Sequence, residues 1–172
     1  EQFYVEKDLV EGNCPIHNKP PELLQEENYF FRLSKYSDAL KKQFDAHADF
    51  VFPKNRQNEM RHILDEGLED ISISRSREKL SWGIPVPGDD AQVMYVWFDA
   101  LTNYVTAAGY GSDETFYNTW WPASAHVMAK EINRFHSLLW PAMLLSAGQA
   151  LPEKIVVHGW LTVNGQKMSK SL

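Results

Sequence analysis

From residue 93 onward, short apolar or β-branched runs alternate with amphipathic stretches, and this alternation constrains the fold more than any other feature. Strands are expected over 93–96, 126–129 and 154–160, each too short for a helix and rich in Val, Ile or Met. Between them the spacing predicts a helix over 98–108 ending at Gly109, and a short helix or turn over 113–121 halted by Pro122. A longer helix over 132–147 should end at Gly148 and kink at Pro141, because proline removes one backbone donor. Strand, helix, strand, helix, strand implies an α/β fold with a parallel sheet covered by helices. Ligands of such sheets sit beyond the carboxyl ends of the strands.

The first part of the chain follows another pattern. Residues 1–29 carry Gly12, Pro15, Pro20 and Pro21 and little periodicity, which reads as a small peripheral module of short strands and turns. Ser34 is a candidate N-cap for a helix presenting Leu33, Tyr36, Leu40 and Phe44. Pro53 then opens a second helix with Met60, Ile63 and Leu64 on its apolar face, stopped by Gly67. Ile71 and Ile73 alternate with polar neighbours, as in a short strand. Trp82-Gly83-Ile84-Pro85-Val86-Pro87-Gly88 holds two prolines and must run extended at a sheet edge or corner. Asn164-Gly165 is a hairpin signal.

Composition narrows the function classes. A net charge of −6 over 172 residues gives no global basic field to attract nucleic acid, so any RNA contact must be local. The single cysteine, Cys14, excludes an intrachain disulfide and suits a reducing compartment. No long apolar run or signal-like start points to a membrane. A cytoplasmic location is expected, with an organellar matrix as the alternative.

The most chemically loaded segment is Lys167-Met168-Ser169-Lys170-Ser171, placed directly after the Asn-Gly turn. Two ammonium groups on flexible stems can fold over a triphosphate and neutralise charge that migrates to the leaving pyrophosphate. Taken alone, such a pentapeptide equally fits a solvated basic tail. Trp97, Ala100, Leu101 and Tyr104 share one helical face, which can be ordinary core or an aromatic slot for a soft thioether. Ile132 and His136, four residues apart, would face the same space. Cys14 and His17 have zinc-like spacing, yet two further ligands are wanting, so no metal site is expected. The paired acids Glu69-Asp70 and Asp89-Asp90 read as solvated turns.

Lys167 to Ser171 is identical to the KMSKS signature of class I aminoacyl-tRNA synthetases, and the surrounding segments resemble the methionine enzymes of that class. Similar stretches begin at Glu27-Asn28-Tyr29-Phe30-Phe31-Arg32-Leu33-Ser34, at Trp82-Gly83-Ile84-Pro85 and at Tyr95-Val96-Trp97-Phe98-Asp99-Ala100. Arg134-Phe135-His136, Trp140-Pro141-Ala142 and Val157-His158-Gly159-Trp160 continue the series in order. The resemblance implies the second half of a Rossmann-like catalytic domain over 31–172, with the end of an inserted connective module over 1–30. It implies activation of methionine by ATP, with Mg2+, and transfer to tRNA.

By the same resemblance, Trp97, Ala100, Leu101, Tyr104, Ile132 and His136 bind methionine. Ala129, Glu131, His158, Gly159 and the whole of Lys167, Met168, Ser169, Lys170 and Ser171 bind ATP, with Lys167 and Lys170 catalytic. Relatives have Gly-Lys-Asp where this chain has Ala129-Lys130-Glu131, a departure that adds a methyl and lengthens the carboxylate. Lys130 is read as a surface charge. His158 would hydrogen-bond or stack near the adenine. The family's other signature, HIGH, does not occur in this chain. The chain is therefore read as an excerpt that needs an N-terminal catalytic half and has little activity alone. The alternatives are a non-catalytic module built on the same scaffold, and a synthetase for another aliphatic amino acid.

Overall fold

A computed structural model describes residues 9–21 and 26–168. Ser169, Lys170 and Ser171 lie outside the described residues. Residues 9–21 form a tight loop closed by a bridge between Val10 and Asn13, with Cys14 buried at its base. Cys14 Sγ lies 3.4 Å from His17 Nδ1. Among the described residues, no group of three or more His, Cys, Asp or Glu could hold a metal ion.

The main body starts at β1 (Phe30–Phe31). A 3-10 turn, Leu33–Tyr36, leads into α1 (Ser37–Ala46), so Ser34 is not the N-cap expected of it. Ser34 instead donates from its amide (3.1 Å) and hydroxyl (2.6 Å) to Asp70 Oδ1. Asp70 is thus no idle turn residue: it ties this turn to a segment 36 positions away. Then come β2 (Val51–Phe52), α2 (Lys54–Glu66), β3 (Ile71–Ser72), β4 (Ser74–Ser76), β5 (Pro85–Val86) and β6 (Asp89–Met94). Pro53 and Gly67 bound α2 as the sequence predicts, Gly67 at φ 104°. The apolar faces of α1 and α2 bury Leu40 and Phe44 against Met60 and Leu64.

Two differences from the sequence expectation concern strands. The first of the three stretches, expected over 93–96, is β6, which begins at Asp89 and ends at Met94. It pairs antiparallel with β4 and β5, not with the parallel sheet. Asp89 and Asp90 therefore open a strand rather than a turn, and Asp89 accepts from the Tyr29 hydroxyl at 3.1 Å. The parallel sheet is completed instead by β2, whose two residues are too few for periodicity to reveal.

After β6 a helical path runs through α3 (Val96–Asp99), a 3-10 turn at Ala100–Thr102 and α4 (Asn103–Ala107). α5 (Glu114–Trp120) follows, capped by the Asp113 side chain accepting from the Phe116 amide at 2.9 Å. β7 (His126–Ala129) enters a 3-10 turn at Lys130–Ile132 and then the second long helix. That helix passes through a π turn, Phe135–Leu139, before α6 (Trp140–Ser146). The irregularity expected at Pro141 takes this form. Proline has no amide to donate and its ring crowds the carbonyl four residues earlier, and the wider π turn relieves both.

β8 (Ile155–His158) sits between β2 and β7, parallel to each, with Ile155 level with Val51 and His126. The chain ends in the hairpin of β9 (Thr162–Val163) and β10 (Gln166–Lys167). Asn164 (φ 51°) and Gly165 (φ 80°) turn it with the left-handed backbone that the dipeptide supplies. One face of the parallel sheet is packed: Val51, Ile155, Val157, His126 and Met128 are buried against a core that includes Leu138, Leu144 and the fully enclosed Trp140. The register row on the other face, Phe52, Val156 and Val127, is not covered in the same way. Phe52 is 54% and Val127 68% exposed.

Buried polar groups in this core are paired. Gln57 Oε1 accepts from the Val51 amide at 3.2 Å, and the Ser137 hydroxyl donates to Asn133 Oδ1 at 2.7 Å. Leu64 is fully buried between α1 and the sheet core. Leu64→Ala is expected to lower unfolding free energy by about 2–5 kcal/mol in urea titration, against well under about 1 kcal/mol for Lys42→Ala on the surface.

Candidate active site

The site assembles around the inner end of β7 and the carboxyl ends of β7 and β8. Alternation along β7 turns His126 and Met128 inward and Val127 outward, which buries an imidazole where an apolar residue would be ordinary. His126 is 6% exposed. The Trp140 indole donates from Nε1 to His126 Nε2 at 3.2 Å. Indole nitrogen only donates, so Nε2 of His126 is an acceptor and the neutral ring carries its proton on Nδ1. The Tyr104 ring lies 4.2 Å from that of His126 between centroids, with Trp140 at 5.9 Å from Tyr104.

His136, in the π turn, is 4% exposed. Its Nδ1 lies 3.0 Å from the Ile132 carbonyl and its Nε2 2.7 Å from the Tyr104 hydroxyl. A carbonyl only accepts, so Nδ1 donates, and in the neutral ring Nε2 receives the phenol's proton. Both imidazoles thus share one tautomer, each fixed by a neighbour's chemistry. Burial holds His126 at about 4, with His136 nearby adding to the effect, and burial also pushes His136 below the usual imidazole range. Burial raises the Tyr104 phenol, which keeps it a donor.

The residues expected to bind methionine are placed unevenly. Leu101 is buried, Ala100 and Tyr104 are half-buried, and His136 meets Tyr104 through their hydrogen bond. Trp97 is 59% exposed and Ile132 also stands toward solvent, its backbone carbonyl meeting His136 Nδ1. The 3-10 turn at Ala100–Thr102 interrupts the single helical stripe that the spacing implies. Two hollows of some size lie elsewhere, one lined by Tyr110, Tyr117 and Gln149, the other by Leu33, Phe135 and Leu138. Sequence reasoning missed His126. Its signal was a titratable residue at an inward position of an otherwise apolar strand.

A second constellation sits beyond the strand ends. Ala129 is level with His158 in the register of β7 and β8. Glu131, in the turn after β7, accepts from Lys167 Nζ at 2.6 Å, so the first flap lysine reaches back to the neighbouring strand's end. Lys167 Nζ is also 4.9 Å from the centre of the Trp160 ring, and Lys130 Nζ is 4.0 Å from it. Lys130 is therefore engaged with an aromatic face, not simply a surface charge. Lys167 foremost, then the backbone of Glu131, with the Trp160 indole least, hold the Glu131 carboxyl below its usual range. His158 is exposed, its Nδ1 2.6 Å from the Gly159 carbonyl, and Met168 is anchored by its amide to Leu161 at 2.8 Å.

The sequence profile of the tRNA synthetases class I (M) matches residues 2–172, nearly the full chain. This chain belongs to the methionyl-tRNA synthetase family of class I. It is 54% identical to the methionine–tRNA ligase of Thermotoga maritima, over 100% of the chain and 28% of that protein. It is also 54% identical to that of Thermosynechococcus vestitus, over 33% of the relative. Among solved structures, Mycobacterium tuberculosis methionyl-tRNA synthetase in complex with methionyl-adenylate superposes with a TM-score of 0.84 at 44% identity. That match covers 99% of this chain and 34% of the other. The chain thus spans about a third of the length of its synthetase relatives.

The buried neutral imidazoles fix the sign of a pH effect. In the unfolded chain His126 takes up a proton near pH 6.5, whereas in the fold it does so only near 4. Unfolded protein therefore binds more protons between these values. The stability of the synthetase segment should be fully present above pH 6.5 and decline as pH falls toward 4, measured by urea midpoints across that range. A flat profile there, with carboxylates accounted for by a His126→Phe control, would contradict the buried neutral ring.

Proposed function

We propose that this chain is the methionine-selecting and flap-bearing part of a methionine–tRNA ligase. The observation that carries this is the Lys167–Glu131 ion pair, which ties the β9–β10 hairpin, whose last residue opens the KMSKS sequence, to the end of β7, the same strand whose first residue packs on Tyr104. Amino-acid slot and phosphate flap are then within one strand's length of each other, the flap at the carboxyl ends of the parallel strands, where nucleotides bind. In the reaction, a methionine carboxylate oxygen attacks the α-phosphorus of ATP. The bond to the β-phosphate breaks and pyrophosphate leaves. The methionyl group then passes from the adenylate to the tRNA terminus with release of AMP.

The roles follow from charge and shape. Carboxylate attack removes no proton at neutral pH, so His136 serves as a neutral wall and not as a base. Tyr104, Leu101 and Ala100 would receive the thioether, with the exposed Trp97 and Ile132 at its outer edge. Lys167 and Lys170 would neutralise the triphosphate and the departing pyrophosphate, aided by Met168, Ser169 and Ser171 of the same loop. Ala129, Glu131, His158 and Gly159 would border the nucleotide. Mg2+, which shields phosphate charge when bound, would arrive with ATP, its ligands drawn chiefly from the phosphates.

The open face of the parallel sheet supports a partner half. Phe52 and Val127 are exposed in one register row, and β7 is an edge among the described strands. An apolar, unpaired strand edge of this kind is what natural proteins cover. An N-terminal catalytic half would pair with β7 and bury that row. The segment over 1–30 would be the end of a connective insertion. tRNA contacts would come largely from elsewhere in the synthetase, given the acidic charge of this segment. The described helices include none long and apolar enough to cross a membrane, and a cytoplasmic setting suits the reaction.

Methionine-dependent ATP–pyrophosphate exchange tests the assignment. In the complete synthetase carrying this chain, Lys170→Ala should lower kcat by about 100-fold or more with methionine KM within about twofold. Trp97→Ala should do the reverse, raising methionine KM about tenfold. The isolated chain should show no exchange. Equal losses in both parameters for Lys170→Ala would mean the flap does not act on phosphate charge. No exchange by the complete protein, with no methionine binding in calorimetry, would favour a non-catalytic module.

A further inference from the structure

The methionine slot contains a group that the assigned roles leave unused. His126 lies beside two of the side chains assigned to the slot, Tyr104 and His136, yet it is neither a surface group nor an apolar filler. Its ring lies 4.2 Å from Tyr104, 6.2 Å from His136 and 6.0 Å from Trp121 between centroids, and its Nε2 takes the Trp140 indole proton. The Tyr104 hydroxyl has a single partner among the described residues, Nε2 of His136 at 2.7 Å. Where that phenol points depends on where its ring is held, and the closest ring to it is His126.

We propose that His126 is a positioning residue for methionine recognition, holding the Tyr104 ring and the Trp140 indole in the arrangement that directs the Tyr104 hydroxyl onto His136. The reasoning is one of shared constraints. Trp140 is fully enclosed and also packs against Trp121 and Tyr104 at 6.1 and 5.9 Å. Its indole N–H needs an acceptor in a place without water, and an unmet donor there would cost stability. His126 supplies that acceptor from the first position of β7, where the backbone is fixed by pairing to β8. Its ring orientation is then set from one side by the indole and offered to Tyr104 on another. A buried chain of hydrogen bonds and rings of this kind acts as a unit. Losing the acceptor frees the indole, loosens the Tyr104 ring and lets the phenol leave His136. The substrate then meets a polar group that is no longer satisfied.

This inference rests on Tyr104 lining the methionine slot, and the test separates the two. In the complete synthetase carrying this chain, ATP–pyrophosphate exchange is measured with methionine and ATP each varied. His126→Phe keeps a ring and removes the acceptor. It should raise methionine KM about tenfold, the size of one lost buried hydrogen bond, with kcat and ATP KM within about twofold. His126→Gln places an amide oxygen near the position of Nε2 and should return methionine KM to within about threefold of the parent. Trp140→Phe removes the same hydrogen bond from the donor side. It should reproduce the methionine defect, and the double variant His126→Phe, Trp140→Phe should be no worse than either single. An unchanged methionine KM in His126→Phe, or equal rises in methionine and ATP KM, overturns the proposal, as does an additive double variant. Tyr104→Ala with unchanged methionine KM would instead remove the slot assignment itself, and the inference with it. Tyr104→Ala impaired while His126→Phe is normal would sink the inference alone. Should His126→Phe fail to fold, Trp140→Phe and His126→Gln carry the comparison.

Discussion

The hydrogen bond from the Trp140 indole to His126 is the constraint around which this molecule is organised. It joins the second long helix to the inner face of the parallel sheet at a point sealed from water. A buried indole and a buried imidazole each carry a polar atom that would be costly unmet, and each satisfies the other. From this pair the rings of Tyr104, Trp121 and His136 follow in contact. The second hydrogen bond, from Tyr104 to His136, joins α4 to the π turn. The π turn exists because Pro141 cannot continue an α-helix backward without a clash, and it also contains His136. Local backbone chemistry and the candidate substrate wall thus coincide.

The second organising contact is electrostatic and lies at the surface. Lys167 and Glu131 meet at 2.6 Å beside the Trp160 ring, with Lys130 over the same ring. Exposed pairs of this kind contribute little to stability because water and salt screen them. The importance of this one is positional: the pair holds the β9–β10 hairpin against the turn that follows β7.

Much of this was legible in residues. Gly67, Pro53 and Asn164-Gly165 mark their boundaries because each imposes a backbone geometry few other residues provide. β7 and β8 were visible as apolar runs. β2 was not, since two residues carry no period, and its place in the sheet is set by pairing with β8, about a hundred positions away. Ser34 looked like a cap because its chemistry suits one. A distant carboxylate, Asp70, competes for the same hydroxyl and amide and wins. Of the stripe from Trp97 to Tyr104, Leu101 is buried and Ala100 and Tyr104 half-buried, whereas Trp97 is exposed and a 3-10 turn breaks the helix between its ends. His126 escaped notice because its importance lies in rings contributed by three separate elements.

The arrangement demands a specific proton distribution, and long-range proton–nitrogen NMR on histidine-labelled protein reads it directly. Near neutral pH, His126 and His136 should both appear as neutral rings protonated on Nδ1, with Nε2 shifted as an acceptor. A proton on Nε2 of either ring, or a charged imidazole at that pH, would contradict the hydrogen-bond scheme on which the slot is built.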